Sequence, residues 1–147
     1  ARVEWTLLLF FASLFVLMRG VESAPLFVDL TTRAAGALRG TPWHDAAVVS
    51  AAMTALSNLV SNVPAVILWR PVVPHLPNAR FVWLVMAMSS TFAGNLTLLG
   101  SMATLSVAER AAARGVPLRF VDVLRVGVPV TVLTLVWGVT ALVLFAR

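Results

Sequence analysis

Two long apolar segments of this sequence carry no charge, and polar, helix-breaking residues interrupt each of them near its middle. The first runs from Ala46 to Trp69 and contains Ser57-Asn58-Leu59-Val60-Ser61-Asn62-Val63-Pro64. The second runs from Phe81 to Ala108 and contains Ser89-Ser90-Thr91-Phe92-Ala93-Gly94-Asn95-Leu96-Thr97. Polar groups are costly at membrane depth unless protein or water covers them. The chain must therefore fold so that both interruptions are covered.

Composition selects the class of protein. Apolar residues make up 60% and charged residues 12% of the chain, about half the charged fraction of a soluble domain, which excludes a soluble enzyme and a disordered chain. The absence of cysteine excludes disulfides and thiolate chemistry. The net charge is +5, but the arginines lie between apolar runs, so we predict a lipid bilayer as the surroundings and no nucleic-acid partner. The prediction is an all-α integral membrane protein, a multi-span helical bundle.

Hydropathy divides the chain into five segments. They are a span at 3–23, an amphipathic helix or short span at 24–40, a re-entrant hairpin at 43–76, a discontinuous helix at 80–114 and a last span at 120–146. The pattern leaves open whether 24–40 crosses the membrane. The chain opens on alanine without a signal peptide, so we expect it to be a piece of a longer protein.

Helix-end signals place the interruptions within these segments. In the hairpin, the first helix is predicted to end near Asn62, and the second to begin with Pro64. In the discontinuous helix, Asn95 is the predicted N-cap of a second part that stops before Gly115. The arginine-rich loop 109–125 is predicted to be cytoplasmic, which places the C-terminus outside the cytoplasmic (inner) membrane.

Paired interruptions of this kind indicate a transporter site built from broken helices. The free N–H groups of a broken helix attract an anion, and oxygens from carbonyls and side chains suit a sodium ion. The four-residue spacing within the first interruption predicts two polar pairs on one helical side. Asn62 and Asn95 are the strongest candidates in the predicted substrate- or ion-binding set, which is Ser57, Asn58, Ser61, Asn62, Thr91, Gly94, Asn95 and Thr97. The predicted sodium ligands are Ser61, Asn62, Gly94 and Asn95.

The sequence places no carboxylate between Asp45 and Glu109. Neutral hydrogen-bond donors favour a small anion, or the uncharged protonated form of an oxyanion, as the substrate. They do not favour a carrier that exchanges cations for protons, which usually needs a membrane carboxylate. No resident cofactor is predicted, only Na⁺ or H⁺ as coupling ion, and no catalytic constellation indicates an enzyme. Three alternatives stay open: a sodium/proton antiporter, an arsenite efflux permease, and a structural membrane subunit whose interruptions only pack helices.

Three stretches resemble the ion transporter superfamily, which includes citrate-type carriers, arsenite permeases and anion permeases. They are Val3-Glu4-Trp5 with the apolar run after it, residues 57–66, and residues 90–101 continuing into Val107-Ala108-Glu109. The resemblance implies the C-terminal half of a secondary transporter with inverted repeats, partnered by its N-terminal half in a homodimer. It implies that Ser61-Asn62 is the hairpin tip and Gly94-Asn95 the unwound helix centre.

One departure from the family pattern bears on the substrate. The dicarboxylate branch carries Ser-Asn-Thr at the hairpin tip, where this sequence has Ser61-Asn62-Val63. The pattern is closer to the arsenite-permease and general anion-permease branch. Without cysteine, arsenite would be recognised as a hydroxylated species through hydrogen bonds.

Overall fold

The computed structural model describes residues 5–76, 78–98 and 100–145. In these ranges the chain is helical and forms no strand, as the sequence predicts. The helices are α1 (Trp5–Glu22), α2 (Pro25–Gly36), α3 (Pro42–Val60), α4 (Asn62–Trp69), a 3-10 turn (Val73–His75), α5 (Ala79–Ala93), α6 (Met102–Ala113) and α7 (Phe120–Phe145).

The core lies where α3, α4, α5 and α7 pack together. Helices α3 and α5 form the most extensive pair, and α7 packs across both. Apolar side chains at helical spacing fill this centre, and their burial is the main force that holds the bundle together. The buried cluster consists of Ala46, Val49, Met53, Ala65, Trp69, Val73, Val82, Val85, Met86 and Val143.

Prolines and turn residues define several helix starts. Pro25 and Pro42 stand at the beginning of α2 and α3, each after a residue with extended backbone, because proline lacks an N–H that the first turn leaves unpaired anyway.

Helix α2 has 12 residues, or about 18 Å at 1.5 Å per residue, which is shorter than the ~30 Å hydrocarbon core of a bilayer.

Helix α7 is the one helix among the described residues that is long and apolar enough to cross a bilayer by itself. Its 26 residues span about 39 Å. One face is buried against the bundle through Gly127, Thr131 and Val143, and the rest exposes large apolar side chains such as Leu133 and Trp137. A surface of this kind is typical of a helix that faces lipid or another apolar protein surface.

The structure corrects both predicted interruption points. Helix α3 ends at Val60 and α4 begins at Asn62, so Pro64 is the third residue of α4 and not the first. All four N–H groups of a first helical turn lack intrahelical partners, so proline is tolerated there. Helix α6 begins at Met102 with Ser101 as N-cap residue, and Asn95 lies in a turn.

The far end of α6 agrees with the sequence. The helix ends at Ala113, and Gly115 follows with φ +81. Glycine adopts this left-handed conformation without a steric penalty, and it commonly ends a helix. The predicted last span corresponds to α7, except that residue 146 lies outside the described residues. Residues 3 and 4 of the predicted first span also lie outside them.

Candidate functional site

The two interruptions are joined by the side chain of Asn58. From α3, its Nδ2 donates to the carbonyl of Ala93 at 3.1 Å, where α5 ends, and to the carbonyl of Thr54 at 2.9 Å. Its Oδ1 accepts a 2.8 Å hydrogen bond from Thr97 Oγ1 in the second interruption. The carboxamide is therefore committed to protein partners, and Asn58 acts as a brace between the interruptions.

Gly100 completes this brace, although it is not in the predicted set of substrate- or ion-binding residues. Its N–H donates to Thr97 Oγ1 at 3.0 Å. A Cβ at this position would lie 2.8 Å from Asn58 Oδ1 and 3.2 Å from the carbonyl oxygens of Ala93 and Gly94. Glycine fits this close approach without any shift of its neighbours. The sequence signal was its place within the polar stretch, three residues after Thr97.

Asn62 opens α4 beside the second interruption. Its Oδ1 is buried and has no hydrogen-bond partner among the described residues. Its Nδ2 would lie 3.3 Å from a Cβ on Gly94. Gly94 has helical backbone angles, φ −62 and ψ −17, so the residue is needed for space and not for backbone freedom. The amide of the first interruption thus lies directly against the backbone of the second.

Ser61 forms the sharp point between α3 and α4. Its φ of 78 and ψ of 162 lie in a region that residues with a Cβ rarely adopt. Its N–H still donates to the carbonyl of Ser57, and its own carbonyl accepts from Ala65. This conformation ends α3, so Asn58 and Asn62 lie on different helices and their predicted stacking along one helical side is wrong. Ser61 still follows Ser57 by one helical turn.

The remaining predicted residues are dispersed around this junction. Ser57 is fully buried, and its Oγ has no partner among the described residues. Thr91 is exposed and donates to the carbonyl of Ala87 at 2.8 Å, the ordinary use of threonine in a helix. Asn95 is exposed and lines a groove against α7.

This groove is about 480 Å³ in volume and joins the second interruption to the first turns of α7. Its lining residues are Asn95, Leu118, Asp122, Val123, Val126, Gly127 and Val130. Gly127 permits the close approach, because a Cβ there would collide with the carbonyl oxygens of Asn95 and Leu96. The fold thus places Asp122, a carboxylate from outside the uncharged segment, in the groove that Asn95 lines.

The first interruption contains only neutral polar groups. Asp45 is buried at the other end of α3, where it accepts a 2.8 Å hydrogen bond from the backbone N–H of Arg39. Thirteen residues of helix, about 20 Å, separate it from Asn58. Within the described ranges no group of three histidine or acidic side chains could hold a metal ion. The junction therefore offers amides, hydroxyls and backbone groups for recognition.

A family model described as citrate transporter matches residues 1–93 of the chain. The match includes the whole first interruption and all of α5. The chain belongs to the citrate transporter family. This membership places the chain in the ion transporter superfamily, as predicted from the sequence, and identifies it as an integral membrane protein.

Curated relatives of this citrate transporter family member are also named as transporters or membrane proteins. A Dictyostelium discoideum protein named transporter arsB is 34% identical over 99% of this chain and 26% of its own length. The 46 kDa membrane protein of Mycobacterium leprae is 30% identical over 90% of the chain and 33% of its own length. The silicon efflux transporter LSI3 of Oryza sativa subsp. japonica is 37% identical over 75% of the chain and 24% of its own length.

The chain spans about a quarter to a third of the length of these relatives. No solved structure matches it significantly. The family and two of these relatives are named as transporters and not as enzymes, in agreement with the prediction that the chain is not an enzyme.

Proposed function

We propose that the chain belongs to the C-terminal half of a secondary active transporter that carries a small anion, or its uncharged hydroxylated form, by alternating access. The observation that carries this proposal is the buried Asn62 Oδ1, which has no described partner and lies where the two interruptions meet. A buried amide oxygen without a partner costs about 1–3 kcal/mol. A bound solute that donates a hydrogen bond to it would recover that cost.

The surrounding groups suit such a solute. The first N–H groups of α4 have no intrahelical partner, and the positive end of the helix dipole there attracts negative charge. Ser61 and Asn95 add polar groups on either side of the junction. A sodium ion held by oxygens of Ser61, Asn62, Gly94 and Asn95 would balance the charge of the anion.

In this proposal the helices have defined places in the membrane. Helices α3 and α4 form a re-entrant hairpin that enters from the outer side, and its tip is at Ser61. Helices α5 and α6 form one discontinuous helix with its unwound part at 94–101. Loop 109–125 is cytoplasmic, and α7 crosses outward to an extracytoplasmic C-terminus. The inverted N-terminal half supplies the other wall of the site, and two copies form a homodimer in the cytoplasmic membrane.

Arsenite is the first substrate to test. In its uncharged form it presents three hydroxyl groups, each able to donate and accept hydrogen bonds with amides. The relatives named transporter arsB and silicon efflux transporter support small hydroxylated species as the class of substrate. Val63 replaces the threonine found in the dicarboxylate branch, so citrate is the comparison substrate.

The experiment measures arsenite and citrate flux by the full-length protein in proteoliposomes. We expect Asn62→Ala and Asn95→Ala to lower the flux at least tenfold while the protein still inserts. Asn78→Gly is the matched control, because Asn78 is an exposed asparagine with φ 57 at the start of α5, a conformation that glycine keeps. Full flux in both alanine variants would remove these residues from the mechanism, and no flux of any anion would leave the structural-subunit alternative.

Asp122 favours one second candidate, a sodium/proton antiporter. In the proposed topology it lies at the cytoplasmic start of α7, where it lines the same groove as Asn95. Exchange of sodium for protons commonly uses a carboxylate. Collapse of a pH gradient when sodium or lithium is added to the proteoliposomes would identify this activity. The same gradient would persist if the protein carries only anions.

A further inference from the structure

A groove of about 380 Å³ lies at the end of the bundle opposite the two interruptions. It is bordered by Pro42 at the start of α3, by the first turns of α5 and by the last turn of α7. Arg80 lines this groove, and thirteen residues of α5, about 20 Å, separate Arg80 from Ala93 beside the Asn58 brace. The groove is therefore separate from the candidate site.

One side of the groove is positively charged. Arg80 is exposed and has no ion-pair partner in the described ranges, where no carboxylate lines the groove. Asn78, the other polar residue of the lining, is exposed, and its side chain does not cap α5. The first turn of α5 contains no acidic residue, so the positive end of the helix dipole adds to the charge of Arg80. An anion complements this side, and an arginine binds a phosphate through two parallel hydrogen bonds.

The other sides of the groove are apolar. They include Phe81 and Leu84 from α5 and Val143 and Phe145 from α7. Leu84 is 40% exposed and Phe145 is 86% exposed. A small hydrated anion gains nothing from such surfaces, whereas a hydrocarbon chain that covers them is stabilised by removing apolar area from water. The groove thus places a cation for a phosphate beside an apolar surface for an acyl chain.

The length of α7 places this groove at a boundary of the bilayer. Residues 126–145 carry no charge and span about 30 Å, the thickness of the hydrocarbon core. The last turn of α7 therefore lies where the core meets the headgroups. The start of α5 meets that turn at the groove, so Arg80 lies at the level of the headgroups, where arginine side chains extend their charged ends toward water.

We propose that this groove binds an anionic phospholipid of the outer leaflet. The phosphate lies against the guanidinium of Arg80 and the amide of Asn78, and an acyl chain lies along Leu84 and Phe145. Phosphatidylglycerol suits the groove because its headgroup carries no amine, which would need a carboxylate partner. Only the choice of leaflet depends on the topology proposed above, and lipid binding is measured independently of transport.

Native mass spectrometry of the purified full-length protein with added phosphatidylglycerol tests the headgroup contact. We expect Arg80→Ala to weaken binding of this lipid at least tenfold, because it removes the charged partner of the phosphate. Arg70→Ala is the matched control and should leave the affinity unchanged, because Arg70 is an exposed arginine that does not line the groove. Equal affinities of the two variants would overturn the proposal.

A second pair of variants tests the acyl-chain contact. Leu84→Ala should weaken phosphatidylglycerol binding at least threefold, because it removes apolar surface from the groove. Leu133→Ala should leave the affinity unchanged, because Leu133 is an exposed leucine of α7 outside the groove. Glycerophosphoglycerol is the same headgroup without acyl chains. If it displaces the lipid at equal concentration, the groove binds a free phosphate ester, and the proposal is wrong.

Thermal unfolding separates a loss of lipid binding from a loss of folding, because each variant is compared with itself with and without lipid. Phosphatidylglycerol should raise the melting temperature of the wild type and of Arg70→Ala, since a ligand that binds the folded state stabilises it. The rise should be smaller for Arg80→Ala. The same rise in all three proteins would contradict a phospholipid site at Arg80.

Discussion

The hydroxyl of Thr97 donates a 2.8 Å hydrogen bond to the carboxamide oxygen of Asn58, 39 residues earlier in the chain. This bond connects the end of α3 to the loop between α5 and α6. Asn58 also donates to the last carbonyl of α5. The geometry of both interruptions therefore depends on one amide, which positions the groups around Asn62 and Gly94.

The Asn58–Thr97 pair should be energetically coupled. We expect Asn58→Ala to lower stability by about 1–3 kcal/mol, because it leaves the Ala93 carbonyl and the Thr97 hydroxyl without this partner. Thr97→Val should cost less in the Asn58→Ala background than in the wild type, with a coupling of about 0.5–3 kcal/mol. A double-mutant cycle on thermal unfolding of the full-length protein measures this. Strictly additive effects would show that the bond does not join the interruptions.

Gly100→Ala should destabilise the loop by about 1–3 kcal/mol, since its Cβ would crowd Asn58 and two carbonyl oxygens. Gly20→Ala is the control, because Gly20 lies in α1 with nothing within 4 Å of an added Cβ. That change should stabilise the helix by about 0.4–1 kcal/mol. Melting temperatures that shift in the same direction for both variants would contradict the close packing.

Gly127→Ala should disrupt the contact between α7 and the second interruption. The atoms that its Cβ would meet are backbone atoms of Asn95 and Leu96, which cannot move aside without shifting α7. Gly138 provides the comparison in the same helix, because its nearest neighbours are side-chain atoms of Met88 and Phe92. We expect Gly138→Ala to retain more transport in proteoliposomes than Gly127→Ala. The reverse order would argue against a fixed α7 contact.

Ser61→Gly should raise stability by about 1–3 kcal/mol, because glycine adopts φ 78 and ψ 162 without the strain that a Cβ causes. Ser61→Ala retains the Cβ and serves as control for loss of the hydroxyl. Differential scanning fluorimetry of the purified protein compares the two. If glycine gives no gain over alanine, the backbone at Ser61 is not strained.

Local signals predicted much of this fold. Uncharged apolar runs located the long helices, and Gly115 after the last turn of α6 located its end within a residue. The serine–asparagine–proline stretch placed the first interruption within two residues of Ser61. These features depend on backbone chemistry that acts over one or two turns, which a sequence shows directly.

The errors arose where distant residues decide the structure. Asn95 is a good N-cap residue, yet α6 starts after Ser101, because the intervening loop is held by Asn58, Thr97 and Gly100 across tertiary contacts. That Asp122 and Asn95 line one groove likewise depends on how α7 packs. The choice of Asn62 as a strong candidate stays a prediction, supported by its buried oxygen.

Equilibrium binding of arsenite to the purified full-length protein isolates the junction of the two interruptions from the rest of the transport cycle. We expect Asn62→Ala to weaken arsenite binding at least tenfold, about 1.4 kcal/mol, and Asn78→Gly to leave the affinity unchanged. If a small anion or hydroxylated solute binds Asn62→Ala as tightly as the wild type, the junction of the two interruptions is not the site.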